Sequence, residues 1–208
     1  MLLSDVYKKI TNQEVSRVKG DSPSLPQKLR RGREAALEFL SLLQTKLVAS
    51  DGGPHAGTML CAAAWLTGTS LHRSFNFKKE YQPGTILNSE EVNKEWESLI
   101  YLLEQYNFQK ADIPVGRLVL AAMGAPAFFK PQVEMPHVQS ELQGQYNAVM
   151  KKHGFDYLDG ARVGVILCSI LIQQYSRARI IDPEVAAGIV AQAIFEAART
   201  VPPLKSAT

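Results

Sequence analysis

Few side chains in this chain have the type and spacing to do chemistry, and the densest group lies between Asp51 and Cys61. The stretch D-G-G-P-H-A-G-T-M-L-C places an aspartate, His55 and a cysteine close together in sequence. A histidine at a helix N-terminus tends to stay neutral, and in that form it can donate or accept a proton. Cys61 follows His55 by six residues, about 600° of helical rotation and so roughly 120° around the helix. That separation argues against a base–nucleophile pair on one helix. The spacing also fits neither an i,i+4 metal pair nor a C-x-x-C site. Cys61 and Cys168 are therefore expected to be buried structural thiols, since free cysteine packs as a small hydrophobe.

Asp159 and Arg162 form the second group. Arg162 falls in the first turn of an apolar helix, where its charge opposes the helix dipole. An ion pair to Asp159, three residues back, offsets that cost. If the helices stack with rough symmetry, Asp51, Asp112 and Asp159 share one end of the bundle, as a hard-cation site would require. Separate helix caps explain the same aspartates more simply. The candidate catalytic residues are thus Asp51, His55, Asp159 and Arg162, gathered in a pocket between helix ends. No metal site is expected, and nothing in the residues names a cofactor. His72, His137 and His153 are scattered near helix ends, and Lys-Lys-His-Gly at 151–154 is a helix C-terminal signature. No G-x-S-x-G, GxxxxGK[ST] or GxGxxG occurs, so no motif fixes a reaction.

The elements that must hold these residues are helical throughout. Leu3, Val6, Tyr7 and Ile10 make a short amphipathic stripe. Lys19 to Lys28, rich in Ser, Pro and Gly, reads as a linker. Leu29 to Val48 carries Ala36, Leu37, Leu40, Leu43 and Leu47 along one face. Apolar helices are expected from about His55 to Leu71, over Asp112–Gly124 and from Gly160 to Tyr175. Between them lie amphipathic helices over Glu90–Phe108 and His137–His153, and Asp182 opens the last helix. The segment from Phe75 to Ser89 reads as an extended loop or hairpin.

Internal repetition sharpens this picture. Leu42-Leu43, Leu102-Leu103 and Val149-Met150 precede Asp51, Asp112 and Asp159, which in turn precede Gly57, Gly116 and Gly164. G-T-M-L-C at 57–61 matches G-V-I-L-C at 164–168, and Gly188 follows Asp182 in the same way. A helical glycine costs about 1 kcal/mol relative to alanine, so its use implies close helix packing. The expected fold is an all-α multi-helix bundle of about seven helices, built as three pseudo-repeated hairpins plus a closing helix. Its small-residue helices should gather centrally. The division expected is an N-terminal helix and basic linker over 1–27, one helical domain over 28–202, and a flexible tail over 203–208.

Composition narrows the function classes. With 46% hydrophobic and 21% charged residues the chain has the profile of a soluble globular protein. The longest apolar run, Val163 to Ile172, is half the roughly 20 residues of a membrane-spanning helix. MLLSDVYKK lacks the apolar core of an export signal, so a cytoplasmic location with reduced thiols is expected. Residues 1–33 hold eight Lys or Arg against three acids, and the rest hold 15 against 17. That basic arm is suited to an acidic partner or to nucleic acid, as is the basic-aromatic run Leu71–Tyr81. The reading that covers most of these features is a helical interaction protein that self-associates or binds a protein partner. The competing reading is an enzyme or a small-ligand or metal-binding protein, with its pocket near Asp51, His55 and Asp159.

Overall fold

A computed structural model describes residues 25–47, 55–75, 77, 81–108 and 115–203. These residues form an all-α bundle of seven helices. They are α1 (Leu25–Lys46), α2 (Ala56–Ser74), α3 (Glu90–Asn107), α4 (Val115–Met123), α5 (Met135–Lys152), α6 (Tyr157–Arg177) and α7 (Pro183–Arg199). A single 3₁₀ turn, Ala127–Phe129, joins α4 to α5. The N-terminal amphipathic stripe and most of the basic arm lie outside the described residues, as does the tail beyond Pro203. α1 starts at Leu25, inside the stretch that composition reads as linker: Pro26 sits in its first turn, where a missing N–H costs little. Of the face read in sequence, Ala36, Leu40 and Leu43 are buried and Leu47 packs beside them, Leu37 being the exception. Phe39 is fully buried and Leu37 is largely exposed, so the core stripe runs through Ala35, Ala36, Phe39 and Leu43.

α2 is the axis of the molecule. Sixteen of its nineteen residues are buried, which makes it a core helix rather than an amphipathic one. It runs antiparallel to α6, with Thr67 against Gly164 and Ser70 against Gly160, and parallel to α7, with Gly68 against Ile194 and His72 against Ala198. α3 closes the far side of α6 and α7, where Trp96 Nε1 donates to the Ala191 carbonyl at 3.1 Å and Asn107 Nδ2 to Ser169 Oγ at 3.0 Å. α1 packs on α5 and α6, and α4 packs on α7.

Of the helices expected at the centre, α2, α6 and α7 gather there while α4, the helix of Gly116, packs on α7 from outside, and the hairpin pairing is hardly realised. α5 and α6 touch only lightly beyond the short turn between them, where the Tyr146 hydroxyl donates to the Gly160 carbonyl at 2.6 Å, and α5 packs more fully on α2. α1 and α3 also find their main partners away from their sequence neighbours. The reason lies in area: a helix buried all round needs partners on every side, and one adjacent helix cannot supply them.

Glycine marks the closest approaches. A Cβ at Gly57 would strike the Phe129 carbonyl, and one at Gly188 would strike the Leu118 carbonyl. At Gly164 it would meet Thr67 Oγ1 and come within 2.7 Å of the Tyr146 hydroxyl. Gly68, which the repeat does not mark, would meet the Ile194 carbonyl and come within 2.7 Å of Ala197 Cβ. Gly116, which the repeat does mark, faces open space.

Helix ends follow local chemistry, with one displacement. Asp182 caps α7 by accepting the N–H groups of Glu184 at 2.8 Å and Val185 at 3.3 Å, and Ser89 caps α3 by accepting the Val92 N–H. α6 is capped by Asp156, which accepts the Asp159 N–H at 2.8 Å, so Asp159 belongs to the first turn and is not the cap. α5 ends at the predicted signature, where Gly154 adopts φ +73°. Arg179 takes the same left-handed conformation after α6 (φ 55°) without being glycine, and α6 accordingly runs past Tyr175 to Arg177. The Pro83–Gly84 turn leads into an isolated bridge between Ile86 and Thr200, which clasps the end of α7 to the loop before α3.

Gly68→Ala should destabilise the protein by about 1–3 kcal/mol in urea unfolding, because backbone and not a flexible side-chain tip opposes the new methyl. Gly144→Ala, on the open face of α5, should instead stabilise it by up to about 1 kcal/mol.

Candidate functional site

His55 is the N-cap of α2. Its backbone is extended and its ring Nδ1 accepts the Thr58 N–H at 3.1 Å. Thr58 Oγ1 lies 2.9 Å from the same nitrogen and accepts the backbone N–H of Gln132 at 2.9 Å. With Nδ1 as the acceptor, the proton of the neutral ring sits on Nε2. One side chain thus satisfies a free amide of the helix start and ties it to the segment entering α5. The histidine that no structural role explains in sequence has one in the fold.

His55 also lines a groove of about 250 Å³ between the end of α1, the start of α2 and the first half of α5. Lys46 and Leu47 close it on the α1 side. His137, Glu141 and Gln145 form one row along α5 at i, i+4 and i+8, and Val138 and Leu142 are the buried floor beside that row. Glu141 is not singled out by the sequence, and His137 stands out there only as one of the histidines near helix ends. Their four-residue spacing was visible in sequence, but nothing there placed them opposite His55.

Asp159 and Arg162 lie elsewhere. α2 and α6 are antiparallel, so Asp159 sits near the Ser70 end of α2, fifteen residues or about 22 Å of helix from His55. The expected common pocket of His55, Asp159 and Arg162 does not form. Asp159 instead pairs with Lys28 at 2.9 Å and with Arg162 at 3.5 Å, which binds the start of α6 to α1 and offsets the arginine's position in the first turn. Asp51 and Asp112 lie outside the described residues. Among the described residues no group of three His, Cys, Asp or Glu is placed to hold a metal ion.

The remaining titratable groups serve the fold. Cys61 and Cys168 are buried and unpaired, and burial pushes both thiols up to about 12. His153 lies 2.9 Å from Glu38, which also accepts from Lys152 at 2.8 Å; these bonds, that of Lys152 first, hold the Glu38 carboxyl below its usual range. His72 is buried, and its Nδ1 lies 2.9 Å from the Ala198 carbonyl. Burial draws its pKa below the usual histidine value, against the opposing pull of that bond. Phe75 and Phe77 pack on the core, Phe77 with its ring 5.0 Å from His72, so these rings of the basic-aromatic run are committed to packing.

Together these features define an all-α bundle organised around a buried central helix, with a groove of apolar floor and polar mouth at the start of that helix. Comparison with family models, curated proteins and solved structures finds no match to this chain.

Two outcomes follow for the histidines. His55→Ala should lower stability by about 0.5–2 kcal/mol, and His55→Asn, which can still cap, should recover most of it in urea melts. His72 is held below its unfolded value of about 6.5, so its contribution is complete above that pH and is lost as pH falls toward the folded value. The urea midpoint should therefore fall more steeply between neutral pH and pH ~5.5 in the native chain than in His72→Gln.

Proposed function

We propose that this protein is a soluble, cytoplasmic helical binding module that self-associates through the outer face of α4. The observation carrying this reading is the exposure of Leu120 (69%) and Met123 (75%), one helical turn apart on a helix held rigidly from behind. Gly188 lets α4 approach α7 at backbone distance, and Arg117 grips Glu184 with two bonds of 2.9 Å. Beside this ridge lies a groove of about 320 Å³, walled by Trp65, Met123, Phe129 and Ile189. An apolar ridge and an adjoining groove of mixed character, with Lys130, Gln192 and Glu196 also in its lining, suit a two-fold contact in which each copy presents both. Large exposed apolar side chains in a cluster are a mark of interaction surfaces.

A nucleic-acid role for the basic arm has less support. In its described part Lys28 pairs with Asp159, Arg30 with Glu34, and Arg31 donates to the His153 carbonyl. Phe75 and Phe77 are packed and not presented for stacking. Among the described residues no helix is long and apolar enough to cross a membrane.

Light scattering after size exclusion should give a mass that rises with concentration above the 23.0 kDa of one chain. Leu120→Glu with Met123→Glu should return it to the monomer mass with an unchanged thermal melt. A native chain that stays monomeric up to high micromolar concentration overturns the proposal.

A further inference from the structure

We propose that the groove between α1, α2 and α5 binds a small organic monocarboxylate with an apolar body. Its volume, about 250 Å³, lies just below the roughly 300–1,000 Å³ of pockets for drug-sized molecules, and so suits a smaller ligand. Its inner wall is apolar, made by Leu47, Val133, Val138 and Leu142. Its mouth is polar. Lys46 and His137 open onto it from opposite sides, and neither side chain makes a hydrogen bond or ion pair among the described residues. An apolar floor with a few convergent polar groups is the common form of a small-molecule site. The fixed cation of Lys46 matches a carboxylate, and the floor matches a short hydrocarbon chain.

Glu141 limits the charge that fits. It stands one turn after His137 on the same row and also lacks an ion pair among the described residues. One negative charge on a ligand can settle against Lys46 and away from Glu141, but a dianion brings a second charge toward that carboxylate. Inorganic phosphate has the charge without the hydrocarbon; an alkylammonium has the hydrocarbon and is drawn to Glu141, but Lys46 repels it, whereas a carboxylate finds two donors, Lys46 and His137, against the single carboxylate of Glu141. The carboxylate with an apolar body meets both halves of the groove. His55 takes part as wall and cap; the proposal places no bond on it. The inference is independent of association through α4, which lies on another face.

The test is titration of the full chain with hexanoate, hexylamine and inorganic phosphate, followed by calorimetry and by amide chemical shifts. Hexanoate should bind saturably and shift the amides of residues 46–47 and 132–145. Hexylamine and phosphate should bind roughly tenfold more weakly or worse. Lys46→Ala should weaken hexanoate by about tenfold, and Lys46→Arg should retain most of the affinity. Lys46 is exposed and outside the packing, so both variants should keep the native melt. Overturning results are an absence of saturable hexanoate binding, hexylamine binding as tightly, or an affinity unchanged in Lys46→Ala.

Discussion

Backbone-distance packing around α2 is the constraint on which the rest of the structure depends. A helix buried on every side can be surrounded closely only where side chains are small, and α2 meets α6 and α7 through glycine, alanine and threonine. Gly164 admits Thr67, and Gly68 admits the backbone of α7 at Ile194 and Ala198. Three polar side chains that α2 carries into this interior are matched. Thr67 donates to the Ala63 carbonyl at 2.7 Å, Thr69 accepts from Gln139 at 2.9 Å, and His72 Nδ1 bonds the Ala198 carbonyl. Each of these would be costly if left unpaired, so the bonds of Thr69 and His72 fix the register of α2 against α5 and α7 as firmly as the glycines fix its distance.

The surface inherits its features from that interior. With α2, α6 and α7 occupying the centre, α4 is left with one partner and turns Leu120 and Met123 outward. α1 lies across α5 and α6, joined by Lys28 to Asp159 and by Glu38 to Lys152. Its far end stops beside the start of α2, and the groove is the space left where those ends meet the side of α5. The two faces proposed for binding are thus consequences of which helices are central, and each is carried on packed helices, not on a separate appendage.

How much of this was legible in the sequence depends on the range of the interaction involved. Asp182 caps the helix it is expected to open, and Lys-Lys-His-Gly ends α5, because these signals act within a few residues. Asp159 was misread for the same kind of reason: Asp156, three residues earlier, has the same capping chemistry, and pattern alone did not separate them. Gly116 and Gly68 show the limit more sharply. A glycine in a helix looks alike in sequence whether it faces another backbone or open space, and the repeat pointed to the wrong one of the two. His55 lacked a role in sequence because an imidazole is an uncommon cap, and its second tie, through Thr58 to Gln132, spans more than seventy residues.

The sequence by itself determined the described helices, their order, the apolar character of the three central ones, the cap at Asp182 and the stop after Lys152. These depend on periodicity and on hydrogen bonds between near neighbours, both written along the chain. Only the tertiary structure decided that His55 and Asp159 stand at opposite ends, that His137 and Glu141 face His55, and that α4 presents Leu120 and Met123 to solvent. Those outcomes follow from the direction in which each helix runs past the next. Direction is settled by how side chains of distant segments fit together, and no local pattern records it.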